Sequence, residues 1–169
     1  FHPDPTVKRQ SGFLIPKFES SSSLGDSISV PYFKVISTNK DLTFTPKIYS
    51  DNEGLFQNEY RQKNKNSYHI ADFGIKKGES NSKTHFFSNS VSTLGLSFFE
   101  NSEVEINIET TSNDNYLKSH KIKSEITNNN SLLNSFLILR GSKPDLYLEA
   151  KVESYEDLTK ENSSDKYQY

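Results

Sequence analysis

The side chains that most often carry out chemistry are scattered along this sequence rather than clustered. His69, His85 and His120 lie in separate segments, without the spacing of a metal-binding motif. Serine is abundant, so a serine, a histidine and an aspartate are expected somewhere by chance and do not indicate a nucleophilic triad. Cysteine is absent, which excludes disulfides and thiolate metal sites in this chain. We therefore predict no enzymatic activity, no catalytic residue, no metal site and no cofactor.

Charged residues two positions apart are better candidates for a functional surface. Glu59 and Arg61 flank Tyr60, so in a strand both would point to the same face. The same spacing places Glu103, Glu105 and Glu109 together, opposite Val104, Ile106 and Ile108. Three carboxylates on one face repel each other unless they meet water or cations. A water-filled lumen with basic neighbours would provide both, although an ordinary solvated face of a soluble protein would too.

The elements that position these residues are predicted to be strands. Apolar and polar residues alternate over 42–48, 103–109 and 145–153, which is the two-residue period of a strand. We predict nine strands near 12–19, 26–36, 41–50, 54–63, 67–76, 84–94, 103–112, 131–140 and 145–156. Short connections rich in Gly, Ser, Asn and Asp favour antiparallel pairing of neighbours. The long connection, about 113–130, could fold inward or project outward, and the tail from about 158 is predicted to be a loop.

The composition is unusual for a soluble domain. Only 32% of the 169 residues are hydrophobic, whereas a soluble domain has almost half. The net charge of −2 and the 12% of aromatic residues argue against disorder of the whole chain. A transmembrane barrel explains these values, since it buries no large core and alternates lipid-facing with lumen-facing residues. The near-neutral charge gives no reason to expect a nucleic-acid partner.

Four sequence pieces resemble a known family when they are taken in order. They are Ser11-Gly-Phe-Leu-Ile-Pro16, Val30-Pro-Tyr-Phe33, Asp41-Leu-Thr-Phe-Thr-Pro46 and Glu59-Tyr-Arg61. Together they are similar to the first barrel strands of the lipopolysaccharide-assembly outer-membrane proteins, the LptD (OstA) family. A weaker likeness lies at Ser112-Asn-Asp-Asn-Tyr-Leu117. The resemblance is dense over 5–62 and thin elsewhere.

The resemblance implies an all-β fold, namely an antiparallel up-and-down meander of about nine strands from a large transmembrane barrel. Residues 1–10 would be the lead-in from a periplasmic jelly-roll domain, and 11–169 the first barrel strands. The implied function is non-enzymatic assembly of lipopolysaccharide into the outer leaflet of the bacterial outer membrane. The implied partners are lipopolysaccharide, outer-membrane lipids, the plug lipoprotein LptE and the periplasmic bridge.

By the same resemblance, Pro16 and Pro31 would form a lateral gate, since proline cannot donate a ladder hydrogen bond. Pro46 would have a lesser version of that role. Alternatively, the prolines merely end strands. Glu59, Arg61, Glu103, Glu105 and Glu109 would line the lumen.

Two other functions remain open from the sequence. One is a soluble or surface-attached β-sandwich that binds carbohydrate, and the other is a porin-like channel. A sandwich would pack its apolar strand faces on a second sheet, whereas a barrel wall would expose them as a lipid-facing band. The position of the apolar faces therefore discriminates between them.

Overall fold

The computed structural model describes residues 9–21, 24–51, 53–78, 82–127, 129–161 and 163–169. The strands are β1 Gly12–Phe13, β2 Lys17–Ser21, β3 Gly25–Ser29, β4 Tyr32–Ser37, β5 Lys40–Tyr49, β6 Gly54–Lys63, β7 Ser67–Lys77, β8 Lys83–Thr93, β9 Asn101–Thr111, β10 Leu132–Lys143, β11 Leu146–Asp157 and β12 Tyr167–Gln168. The helices are the four-residue α1 Tyr116–Ser119 and α2 Ser163–Lys166. Within the described ranges, no helix has the length and apolar character needed to cross a membrane.

The prediction of an all-β antiparallel sheet is confirmed. All twelve strands form one sheet that is not closed, and from β4 to β12 each strand pairs with its neighbour in sequence. The number of strands differs from the predicted nine for two reasons. Each of the first two predicted strands is divided in two, and the tail contains α2 and β12 where only a loop was expected. Of the predicted lead-in, 1–10, only Arg9 and Gln10 lie inside the described residues.

Prolines mark both divisions. The first predicted strand becomes β1 and β2, with Pro16 between them, and the second becomes β3 and β4, with Pro31 between them. β3 and β4 nevertheless pair with one long partner, β5, in a single register. β1 pairs only with β4, and β2 only with β3, among the described residues. The segment holding Pro16 is therefore an edge of the sheet, as predicted.

The two faces of the sheet differ in chemistry. Opposite residues of an antiparallel pair share a face, so the registers assign each side chain. One face carries exposed apolar side chains, 37% to 78% accessible. They are Phe18, Ile28, Ile48, Phe73, Phe86, Ile106, Ile108, Leu137, Leu139, Leu148 and Val152. We call this the apolar face and the other the polar face. Every described strand belongs to one sheet, so the second sheet that a sandwich needs is not found there.

The connection from β9 to β10 folds back over the polar face. Tyr116 and Leu117 of α1 are fully buried, and Ile122 is 4% exposed. They pack in one cluster with the sheet residues Tyr49, Leu55, Phe87, Leu133 and Leu158. The connection therefore packs against the sheet instead of projecting away from it. The small core thus lies between this segment, residues 112–127 and 129–131, and the sheet.

Candidate functional site: the proline seam and the polar face

The breaks in the first strands lie side by side. Three residues, Leu14–Pro16, stand between the Phe13–Tyr32 and Lys17–Ser29 pairs, opposite only Val30 and Pro31. This is a one-residue bulge in the edge strand, and bulges disrupt the local ladder. The unbroken register of β3, β4 and β5 continues through the gap, which sets Val30 opposite Pro46 and Pro31 opposite Thr45. We call residues 14–16, 30–31 and 45–46 the proline seam.

Each proline of the inner two strands removes a donor from a different interface. In a strand, the amide and carbonyl of one residue point to the same side. The Pro31 carbonyl accepts a hydrogen bond from the Leu14 amide at 2.8 Å, so its missing N–H faces the edge strand. The Pro46 carbonyl accepts from the Val30 amide at 3.3 Å, so its missing N–H faces β3 and β4. The sheet is therefore weakened at two adjacent interfaces at one level.

Apolar side chains surround the seam without covering it. Phe13, Ile15 and Phe18 of the edge strand are 76%, 84% and 78% exposed. Phe13 packs edge-to-face on Tyr32, with ring centroids 5.0 Å apart. A soluble monomer rarely keeps such a concentration of exposed large apolar residues. The seam therefore combines weak strand pairing with an apolar surface.

On the polar face, Arg61 is the centre of an ion-pair cluster. Its Nε lies 2.9 Å from Asp41 Oδ1 and its Nη1 lies 3.3 Å from Glu59 Oε1. The Oε1 atom of Glu125, in the folded-back connection, lies 3.8 Å from the same Nη1. Arg9 also pairs with Asp41. Glu59 and Arg61 do share a face, as the spacing predicted. The cluster joins β5, β6 and the connection, which supports a bracing role.

A second ion-pair cluster explains why neighbouring carboxylates can share one face of β9. Arg140 of β10 donates to Glu105 at 2.8 Å, to Glu103 at 3.1 Å and to Glu149 of β11 at 3.1 Å. One guanidinium on β10 thus binds three carboxylates from the two neighbouring strands, β9 and β11. Glu109 is not part of this cluster. It is mostly buried and accepts from the Asn107 side chain at 3.1 Å and the Asn134 amide at 3.2 Å.

A buried chain of polar groups links the sheet to the folded-back connection. His85 lies 3.2 Å from both Asp72 Oδ1 and the Tyr116 hydroxyl, and all three side chains are fully buried or nearly so. Gln57 donates to Asp72 at 2.7 Å and to the Lys123 carbonyl at 2.9 Å. Burial raises the pKa of Tyr116 above its usual range. No solvent reaches these groups. The hydrogen-bonded series therefore holds the connection on the sheet and does not act on a substrate.

His120 follows α1 and is packed against the rings of Tyr49 and Tyr116, with centroids 5.6 and 5.2 Å away. Both of its ring nitrogens are buried without a hydrogen-bond partner, as is the Tyr49 hydroxyl. Burial, together with the nearby Lys76 and Lys83, lowers the pKa of His120 to about 4. The ring is therefore neutral at physiological pH.

The structure brings together some of the predicted site residues and separates others. Pro16 and Pro31 meet in the seam, Glu59 and Arg61 in one cluster, and Glu103 with Glu105 in another. Sequence reasoning missed Asp41, Asp72, His85 and Arg140 as cluster members. The sequence pattern could have identified Asp41 and Arg140, because each lies at a polar position in a predicted strand. The pairing of Asp72 with His85 depends on register, which the sequence did not provide. In the described part of the chain, no group of three or more His, Asp or Glu could hold a metal ion.

Comparison with known proteins gives partial matches to LPS-assembly proteins. No family profile matches the chain. The chain is 41% identical over 61 residues to the LPS-assembly protein LptD of Nitrosococcus oceani, which covers 36% of this chain and 8% of that protein. It is 47% identical over 55 residues to the LptD of Shewanella oneidensis, covering 32% and 7%. It is 44% identical over 54 residues to the LptD of Paraburkholderia xenovorans, which covers 32% of this chain and 7% of that protein.

The matched segment thus spans less than one tenth of the length of these curated relatives. It is about a third of this chain. This partial homology supports the family indicated by the sequence motifs.

Proposed function

We propose that this chain is part of a bacterial outer-membrane translocon that assembles lipopolysaccharide into the outer leaflet, without bond chemistry. The observation that carries the proposal is the proline seam, which lies at the edge of a sheet with one exposed apolar face. The partial homology to LPS-assembly protein LptD supports a role in lipopolysaccharide assembly. In this proposal, residues 11–169 are the first strands of the barrel and residues 1–10 lead in from a periplasmic domain.

The apolar face meets the outer-membrane lipids and the polar face lines the lumen. Every strand pair can then satisfy its backbone groups while its side chains alternate between lipid and water, as a barrel requires. Glu59, Arg61, Glu103, Glu105 and Glu109 belong to the lumenal wall. The connection, described over 112–127 and 129–131, lies within the lumen and narrows it.

The seam is the lateral gate. The edge strand carrying Pro16 would close the barrel against the last strand. Few ladder hydrogen bonds hold the edge strand beside Pro31. The free-energy cost of separating the two strands there is therefore small. A typical hydrogen bond contributes roughly 0.5–1.5 kcal/mol net, so the loss of one or two donors lowers the barrier without unfolding the wall. A lipid with its sugar in the lumen could then slide its acyl chains sideways into the membrane.

The proposed partners follow from the family. They are lipopolysaccharide itself, the plug lipoprotein LptE and the periplasmic bridge. A porin-like channel is the second candidate, and the polar face with its ion-pair clusters would suit it equally well. The seam favours the translocon, because a channel for solutes has no use for a weak edge. The carbohydrate-binding sandwich is disfavoured by the exposed apolar face.

Photocrosslinking tests the proposal. A benzophenone amino acid at Leu14, in the seam, should capture lipopolysaccharide in living cells that carry the full-length protein. The same probe at Phe73, which is 43% exposed on the apolar face away from the seam, is the matched control and should capture mainly membrane lipid and little lipopolysaccharide in transit. Equal capture at both sites, or none at Leu14, would rule out passage through the seam.

A further inference from the structure

A cavity of about 250 Å³ lies between the sheet and the folded-back connection, directly beside the proline seam. Leu14 and Pro31 of the seam form part of its wall, and His120 and Ile122 form part of the opposite wall. The cavity therefore opens where a lipid leaving the lumen would pass. We call it the lysine cavity, because Lys17, Lys47, Lys121 and Lys123 line it.

Lysine is the main charged residue of its lining. Four lysines, Lys17, Lys47, Lys121 and Lys123, face two glutamates, Glu19 and Glu59, which leaves an excess of two positive charges. This contrasts with the whole chain, whose net charge is −2. The lining of the cavity is thus locally positive in a chain that is slightly negative overall.

Three of the four lysines are available for a ligand. Lys47 pairs with Glu19, and Glu59 pairs with Arg61. Lys17, Lys121 and Lys123 are exposed and form no ion pair with any other residue in the described ranges. These three lysines line one cavity and carry the same charge, so an anion bound there would lower the electrostatic energy of the site.

The backbone holds one of these lysines in an unusual conformation. Lys121 has φ +51°, and it is the non-glycine residue with positive φ among those described. Such a conformation costs free energy for a side chain larger than hydrogen, and it persists where the surroundings enforce it. The burial of His120 and Ile122 on either side fixes Lys121 at the cavity.

Buried polar atoms without partners lie next to the same cavity. The ring nitrogens of His120, which lines the cavity, are buried without a hydrogen bond, as is the hydroxyl of Tyr49, which packs against His120 and does not line the cavity. The Lys47 ammonium lies 5.3 Å from the Tyr49 ring centroid. Buried polar groups normally have partners, so these groups are a second observation, independent of the lysines, that points to a polar ligand.

We propose that the lysine cavity binds the phosphate of a phosphorylated glycolipid while its acyl chains lie across the proline seam. This inference rests on the proposed translocon function and adds a subsite to it. A phosphate carries up to two negative charges, which matches the excess charge of the cavity. The apolar Leu14, Ile15 and Phe18 on the seam side suit the acyl chains. The cavity would thus hold the headgroup in the lumen until the seam opens.

The test is equilibrium binding by the full-length protein in detergent micelles. The probes are a bisphosphorylated lipid A, the same lipid with its phosphates removed, and inorganic phosphate as competitor. The wild type should prefer the phosphorylated lipid by about tenfold or more, equivalent to at least about 1.4 kcal/mol. The Lys121→Glu/Lys123→Glu variant should lose this preference and keep its affinity for the dephosphorylated lipid. Inorganic phosphate should compete only with the phosphorylated lipid.

Two controls make the result decisive. Lys65→Glu/Lys118→Glu makes the same charge change at exposed lysines outside the cavity and should retain the preference. Lys121→Arg/Lys123→Arg keeps the charge and should retain it as well. A preference that survives in the Lys121→Glu/Lys123→Glu variant, or that the wild type lacks, would overturn the cavity inference while the translocon stands. Failure of the wild type to bind either lipid would count against the translocon itself.

Discussion

The amide nitrogen of Leu14 lies 2.8 Å from the carbonyl oxygen of Pro31. This hydrogen bond ties the edge strand to its neighbour at the point where β1 has ended and β2 has not begun. Pro31 can accept it but cannot donate one in return. The seam is thus held from one side only, and this asymmetry underlies the proposed gate.

The first prediction concerns which face meets lipid. The chain has no cysteine, so single cysteines report cleanly on their surroundings. Glu103 and Ile108 lie on opposite faces of β9 and are similarly exposed, 41% for the Glu103 side chain and 43% for Ile108. In membranes, a water-soluble maleimide should label Glu103→Cys and leave Ile108→Cys almost unmodified. After denaturation both should react. Rapid labelling of Ile108→Cys in the membrane would contradict the assignment of the apolar face.

The second prediction concerns Gly74. A Cβ atom at this position would collide with the His85 ring, so Gly74→Ala should displace His85 from Asp72 and Tyr116. We expect a loss of about 1–3 kcal/mol in the free energy of unfolding, as for other overpacked sites. Gly12→Ala is the matched control, since a Cβ there meets nothing within 4 Å. Denaturant unfolding in detergent measures both. Equal stability of the two variants would show that His85 does not need this space.

The third prediction concerns the folded-back connection. Leu117 and Ile122 are its buried apolar anchors, so Leu117→Ala/Ile122→Ala should release it from the sheet. Each truncation of a buried leucine or isoleucine costs about 2–5 kcal/mol. Hydrogen exchange over 116–122 should accelerate strongly, and small solutes should pass the pore faster. The control Leu94→Ala/Leu96→Ala alters leucines that are 42% and 48% exposed and should change neither quantity.

The fourth prediction is a pH dependence of the same segment. His120 has its pKa lowered from 6.5 to about 4 by burial. Between these values the released state binds more protons than the docked state, so docking weakens as the pH falls. The free energy that holds the connection on the sheet should be at its maximum above about pH 6.5. It should decrease by up to about 3 kcal/mol by pH 4. The protection factors of the amides at 116–122, which are corrected for the slower intrinsic exchange at low pH, should therefore fall between pH 7 and 4.5. The His120→Phe variant should flatten this response, and an unchanged response would assign it to another group.

Much of the sheet could be predicted from the sequence because period-two alternation is local. The strand 54–63 was predicted with its observed bounds, and the opposite faces of Glu103 and Ile108 followed from spacing alone. Splitting of the first two strands was harder to foresee. Proline removes one donor, but whether a strand bends, bulges or ends there depends on the partner strand. The shared register of β3, β4 and β5 decides it here.

The internal contacts of the site were beyond sequence reasoning for the same reason. Arg140 binds Glu103 and Glu105 because the pairing of β9 with β10 sets Glu103 directly opposite it and Glu105 two residues further along the same face. The packing of the connection on the sheet depends on the contact between Tyr116 and the His85 ring, which lies thirty-one positions away in the sequence. Contacts of this kind belong to tertiary packing, and no local pattern encodes them.

The most direct test of the account is lipopolysaccharide delivery when the seam regains its donors. In the Pro16→Thr/Pro31→Thr variant of the full-length protein, the residue at 31 can donate an N–H to the edge strand, and the edge strand itself can continue. Pro144→Thr, in the turn between β10 and β11, is the matched control. Newly made lipopolysaccharide should reach the cell surface more slowly in the double variant alone, with normal amounts of assembled protein. Delivery at the wild-type rate, with normal assembly, would show that the prolines are not the gate.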